Sequence, residues 1–207
     1  MTLMICPGFH PPSLTDNLVR SLDLDADRLI IVPSETCPPY SAPHLLAFLN
    51  QQKLRDRLTD GVVFLGFSAG VVGAIGAAWA WQASGNSVKA FIAVDGWGIP
   101  LYGNFPIHRL SHDAWTHVTS TGLEWLADGF YADPPVPHLE LWRSPATAQG
   151  WWVNYGKADP LPPPSSLVAG IRTRATAAEV LNRILNRYGE AESRQDQHPV
   201  QNWRDHS

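Results

Sequence analysis

Two cysteines in 207 residues are too few for a disulfide framework, and Cys6 and Cys37 form no C-x-x-C pair. A stapled secreted fold and a cysteine-based zinc site are therefore not expected. Charge is scarce as well. Only 16% of residues are charged, and 19 acids outnumber 15 bases. A chain of net charge −4 has no basic excess to set against phosphates, so nucleic acid is not an expected partner. No basic segment precedes the opening Leu3-Met4-Ile5-Cys6 run, which Pro7 ends. That is not the pattern of a secretory signal, and with free thiols it leaves the cytoplasm as the expected compartment. Internal repeats, a P-loop, G-x-G-x-x-G and H-E-x-x-H are all missing.

One stretch lacks charge for long enough to suggest a membrane span, the 20 residues from Val62 to Trp81. Its character changes halfway. Val62-Val63-Phe64-Leu65 is β-branched and aromatic, Gly66-Phe67-Ser68-Ala69-Gly70 is a turn of small residues, and Val71 to Trp81 reads as a buried helix. A buried strand, a tight turn and a buried helix account for the apolarity without a bilayer.

What is abundant is apolar and aromatic matter: 44% hydrophobic residues and nine tryptophans, with 18 prolines and 16 glycines to break the chain into elements. This composition suits one domain with a sizeable core and a pocket or interface. Strands are expected at Leu3–Cys6, Arg28–Val32, Gly61–Leu65, Val88–Val94 and, more weakly, Ile107–Leu110. Helices are expected at Ser13–Leu22, with Ser13 as N-cap, from Ser41 or Ala42 through Leu49, at Val71–Ala83, in one or two pieces over Trp115–Gly129, and at Ala175–Tyr188. Strands alternating with helices predict a three-layer α/β/α sandwich on a mainly parallel sheet of about five strands. Right-handed crossovers put the helices on both faces, and the loops after the strands share one rim. A single domain over 1–189, an irregular or lid-like region over 122–165, a proline-rich connector at Pro160–Pro164 and a polar, frayed tail over 190–207 complete the expected organisation.

Chemistry points to Ser68. Gly66-Phe67-Ser68-Ala69-Gly70 is G-x-S-x-G between a strand and a helix, the setting a nucleophile elbow requires. The sharp turn strains the serine backbone and leaves room for little beyond glycine two residues to either side. It raises the hydroxyl above the rim and aims a helix N-terminus at the reacting carbonyl. A small-residue turn that only packs a helix on a sheet is the plainer explanation.

With this motif in its context, the chain resembles the α/β hydrolase superfamily. The likeness runs from Leu3 to about Asp95 and includes Leu3-Met4-Ile5-Cys6-Pro7-Gly8-Phe9-His10, which is similar to that family's oxyanion loop. It has a further likeness to small hydrolase-like proteins of cyanobacteria, which adds no chemistry. The resemblance implies a minimal α/β hydrolase fold without the family's two leading antiparallel strands. Its strand order would be second, first, third, fourth, fifth. It implies Ser68 as nucleophile, the N–H groups of Phe9 and Ala69 as oxyanion donors, and the chain order serine, acid, histidine.

For the acid, Asp113 after the fifth strand comes first and Asp95 after the fourth comes second. Asp-Gly at 95–96 also reads as a turn, and Asp113 as a helix N-cap. For the histidine, His138 leads, 25 residues beyond Asp113. His117, one helical turn from Asp113, and His112 are alternatives. His198 and His206 lie in the tail. The spacings of His108, His112, Asp113 and His117 match no standard metal site. Trp79 and Trp81 read as core. Trp97, Trp115, Trp125, Trp142, Trp151 and Trp152 follow the rim, where some could line an acyl pocket. The expectation is a serine hydrolase for a hydrophobic ester or thioester, needing no cofactor. The rival is a hydrolase-fold binding module without catalysis, and a lesser one is a lipid-surface protein using exposed tryptophans.

Overall fold

A computed structural model describes residues 1–58, 60–96, 98–119, 128–154 and 171–195. Its centre is an eight-stranded sheet in the order β2-β1-β3-β4-β5-β6-β7-β8. The strands are β1 Thr2–Cys6, β2 Leu29–Ile31, β3 Val62–Phe67, β4 Val88–Val94, β5 Ile107–Ser111, β6 Gly129–Ala132, β7 Gln149–Asn154 and β8 Ile171–Thr176. β2 through β6 pair in parallel, and β7 and β8 extend the edge antiparallel. The first five strands follow the order expected from the sequence. The other three were not foreseen, because β6 is four residues long and β7 and β8 carry Trp, Arg and Thr in place of an apolar run.

Helices cover both faces, α1 Pro12–Arg20, α2 Ala42–Lys53, α3 Ala69–Ala83, α4 Ala114–Thr119, α5 His138–Arg143 and α6 Ala177–Gln195. Side chains alternate across each strand, so two cores form. Leu3, Ile5, Val63, Leu65, Phe67 and Ile92 pack with α1, α5 and α6. Met4, Cys6, Phe64 and Phe91 pack with α2 and α3. α3 is apolar nearly all round because it is enclosed by the sheet and by α2, and small residues permit the approach. A Cβ on Gly73 would stand 2.3 Å from the Pro39 carbonyl.

The charge-free stretch 62–81 divides into β3, Ser68 and α3, and among the described residues no helix is long and apolar enough to cross a membrane. Several expected boundaries shift. Of the helical region expected over Trp115–Gly129, α4 accounts for the part up to Thr119, 120–127 lie outside the described residues, and Gly129 opens β6. α1 starts at Pro12 with Pro11 as N-cap and no side-chain cap, so Ser13 is inside the helix. Proline is preset for the first helical turn, which places the start one residue earlier. β3 runs on through Gly66 and Phe67, leaving Ser68 alone as the turn. α6 begins at Ala177, since 175 and 176 belong to β8, and reaches Gln195, beyond the expected start of the tail. Its Val180, Leu181, Ile184 and Leu185 are buried as the amphipathic pattern predicts. The connector at 160–164, Trp97, Trp125, His198 and His206 lie outside the described residues.

Candidate active site at the carboxyl ends of the strands

Parallel strands deliver their following loops to one edge of the sheet. Ser68, Asp95, His112 and the 133–137 loop follow β3, β4, β5 and β6 in turn.

Ser68 has φ 52° and ψ −120°, left-handed territory that costs a residue with a Cβ about 1–3 kcal/mol. The turn is held by Ser68 N–H donating to Val94 O at 2.9 Å and Val71 N–H donating to Ser68 O at 3.1 Å. Gly66 is tightly enclosed and Gly70 is sterically required. A Cβ on Gly66 would lie 3.0 Å from Val71 Cα, and one on Gly70 would lie 2.1 Å from Cys6 O and 2.6 Å from Pro7 O. The carbonyls that Gly70 meets belong to the loop after β1. That loop also presses on the elbow at Gly8, where a Cβ would stand 3.2 Å from Ser68 Cβ. Phe9 follows with its side chain exposed. Ala69 opens α3, whose first N–H groups have no intrahelical acceptor. Ser68 is half-buried, and among the described residues its hydroxyl makes no hydrogen bond.

Asp95 follows β4 with φ 51° and a side chain fully removed from solvent. Its Oδ1 accepts the His112 backbone N–H at 2.9 Å, and its Oδ2 lies 2.8 Å from His138 Nδ1. Gly96 serves packing, since a Cβ there would meet Val71 at 2.5 Å.

His138 is the first residue of α5, and three contacts place it. Val136 N–H donates to His112 O at 3.0 Å, which ties the 133–137 loop to the rim. The His138 ring stacks on Phe67 with centroids 4.7 Å apart, and Trp142 stacks on the same phenyl ring at 4.8 Å. Trp142 is thus core, anchored by its indole N–H on Thr15 Oγ1 at 3.2 Å.

The carboxylate at His138 is therefore that of Asp95, and the first-choice Asp113 is elsewhere. Asp113 Oδ1 accepts the Thr116 N–H at 2.6 Å and caps α4. Its burial pushes the carboxyl up, but the Thr116 N–H and hydroxyl and the neighbouring His112 charge outweigh that and hold it below the usual range. His117 is buried behind the rim with Nδ1 3.4 Å from Ser111 Oγ, and burial, then Arg109 and Arg172, lowers its pKa to about 4. His108 is likewise structural. Its two nitrogens meet Asp128 O at 3.0 Å and Tyr188 Oη at 2.8 Å, and burial above all lowers its pKa to about 4.

His112 belongs to the cluster in a way spacing did not reveal. Its Nδ1 is 3.0 Å from Asp95 Oδ2, without hydrogen-bond geometry, and its Nε2 is 3.4 Å from Asp113 Oδ2. Asp95, His112 and His138 thus offer three donor atoms within 4.8 Å of one another. The thiols are not candidates. Cys6 and Cys37 are buried and burial pushes both thiols up, the neighbouring Cys37 adding to the effect at Cys6.

No family model matches the chain, and no curated protein sequence does. Among solved structures it is similar to YbtT, a type II thioesterase from the yersiniabactin NRPS/PKS biosynthetic pathway, at 13% identity and a TM-score of 0.45, over 68% of this chain and 86% of that one. The fold is a three-layer α/β/α sandwich on a mostly parallel sheet. A likeness of this degree carries no argument about chemistry, which has to come from the side chains. Of the nine tryptophans, Trp81 and Trp142 are core, Trp79 packs half-buried with its N–H on Tyr102 O, and Trp115 stands exposed on α4. Trp151 and Trp152 are half-buried on β7, against Arg174 and Arg183.

Proposed function

We propose that the protein is a serine hydrolase that cleaves carboxylic esters or thioesters. The observation carrying this reading is the strained Ser68 turn on the same rim as a histidine held by a buried aspartate. In this reading Ser68 Oγ attacks the acyl carbonyl while His138 Nε2 takes its proton. Asp95 keeps the imidazole hydrogen on Nδ1 and stabilises the imidazolium as it forms. The Ala69 and Phe9 N–H groups receive the oxyanion. His138 then returns the proton to the leaving alcohol or thiol, and water, deprotonated by His138, releases the acid. The absent Ser68–His138 hydrogen bond is common in ligand-free sites and tightens when substrate binds. The exposed rings of Phe9 and Tyr40, with centroids 6.1 Å apart beside the elbow loop, favour an apolar acyl or alcohol group. Buried, unpaired thiols suit a reducing cytoplasm.

A fluorophosphonate probe tests the reading. Wild type should be labelled and Ser68→Ala should not. No labelling of folded wild type, or equal labelling of the variant, would refute it. The rival is a binding module without catalysis, which draws on the unbonded Ser68 hydroxyl. It predicts an unlabelled protein that still binds hydrophobic acyl compounds saturably.

A further inference from the structure

A serine relay needs one imidazole on its carboxylate, and here two converge on the same oxygen. His138 Nδ1 is 2.8 Å and His112 Nδ1 3.0 Å from Asp95 Oδ2. One shared proton satisfies the first contact. The second nitrogen is buried, in range, and makes no hydrogen bond. We propose that Asp95, His112 and His138 form a binding site for a divalent cation of the zinc class.

The donors have the right chemistry and spacing. Two imidazoles and one carboxylate favour zinc-like ions over magnesium or calcium, which take oxygen ligands. Tetrahedral zinc with ligands at about 2.0–2.1 Å sets donor atoms roughly 3.3 Å apart. The two nitrogen–oxygen contacts of 2.8 and 3.0 Å reach that value when the rings withdraw by a few tenths of an ångström, and the two imidazole nitrogens, within 4.8 Å of each other, close towards it around the ion. The surrounding groups are those a metal site uses to orient its ligands. His112 has a carboxylate on its other nitrogen, Asp113 Oδ2 at 3.4 Å, and the free oxygen of Asp95 is held by the His112 N–H at 2.9 Å. The buried Asp95 charge gains a counter-charge. The histidine side chains are 23% and 37% exposed, which gives the ion a path in and leaves a position for water.

Occupancy would silence the hydrolase, a consequence that rests on the proposed function, whereas binding itself does not. A cation on His138 Nδ1 moves the ring hydrogen to Nε2. Nε2 is then a donor and cannot take the Ser68 proton.

The test is titration of the chelator-stripped full chain with zinc chloride by calorimetry. The expected result is saturable binding of one ion per chain, weakened about tenfold or more in His112→Gln and in His138→Gln and retained in Ser68→Ala. Cobalt(II) added to wild type should give the visible bands of four-coordinate nitrogen and oxygen ligation, which needs no variant to fold. No saturable binding, undiminished binding in both histidine variants, or six-coordinate cobalt bands would overturn the proposal. Zinc should also block fluorophosphonate labelling of wild type. Wild type that binds zinc but is never labelled, with or without metal, would remove the hydrolase reading and leave the metal site standing.

Discussion

Replacing Asp95 with asparagine tests the relay at its most constrained point. The side chain is fully buried, and its two oxygens face different groups, the His112 backbone N–H at 2.9 Å and His138 Nδ1 at 2.8 Å. Asparagine is isosteric but has one acceptor and one donor end. Only one orientation avoids a donor–donor clash with the His112 N–H. The carbonyl oxygen stays on that N–H, and the amide NH2 turns to His138. It can donate there only if Nδ1 gives up its hydrogen, which then sits on Nε2. The histidine keeps its place but presents a donor to Ser68. In serine triads this tautomer error costs about 10⁴ in kcat, or roughly 5.4 kcal/mol at about 1.36 kcal/mol per decade. The assay is hydrolysis of a short activated ester, with thermal unfolding to confirm the fold. Asp113→Asn is the control, because asparagine caps helices as well as aspartate does, so its activity should stay within a few-fold of wild type. An active Asp95→Asn beside an inactive Asp113→Asn would refute the assignment.

Gly70→Ala should destabilise the fold by about 1–3 kcal/mol, because the new methyl meets two backbone carbonyls, Cys6 O and Pro7 O, that cannot turn aside. An unchanged denaturation midpoint would contradict this. Stability should also fall as pH drops from 6.5 towards 4. His108 and His117 have folded pKa values of about 4 against 6.5 unfolded, so in that window the unfolded chain binds protons that the folded chain refuses. Each contributes about 1.4 kcal/mol per pH unit. Urea unfolding at pH 7.5 and pH 5 measures it, and a flat profile would mean the two rings are not held neutral. Asp113→Ala should lose about 0.5–2 kcal/mol through its cap on α4, read from the same urea curves, with no loss of catalytic rate.

Local sequence carried much of this protein. The apolar runs at Leu3, Val62 and Val88 were legible as buried strands because burial on both faces favours a near-continuous apolar sequence, broken in β4 only by the half-buried Lys89. Ser68 was legible because G-x-S-x-G between an apolar strand and an apolar helix marks a one-residue reversal, although the crowding at Gly70 comes from the loop after β1. The late strands were not. β8 is the edge strand and β7 lies between it and β6, and both carry Trp, Arg and Thr in place of an apolar run, so they resemble loops until β6 is there to start the pairing. The choice between Asp113 and Asp95 also lay outside local sequence. Both follow strands, both have an ordinary turn or cap explanation, and only the packing of α5 on Phe67 and the Val136–His112 bond bring His138 to one of them. Asp95, His112 and His138 come after three different strands, and no spacing rule connects them. The sequence by itself determined where a nucleophile could stand, since backbone sterics act over a few residues. Which carboxylate and which imidazoles meet was decided by the tertiary structure, because a 2.8 Å contact across 43 residues depends on every element packed between.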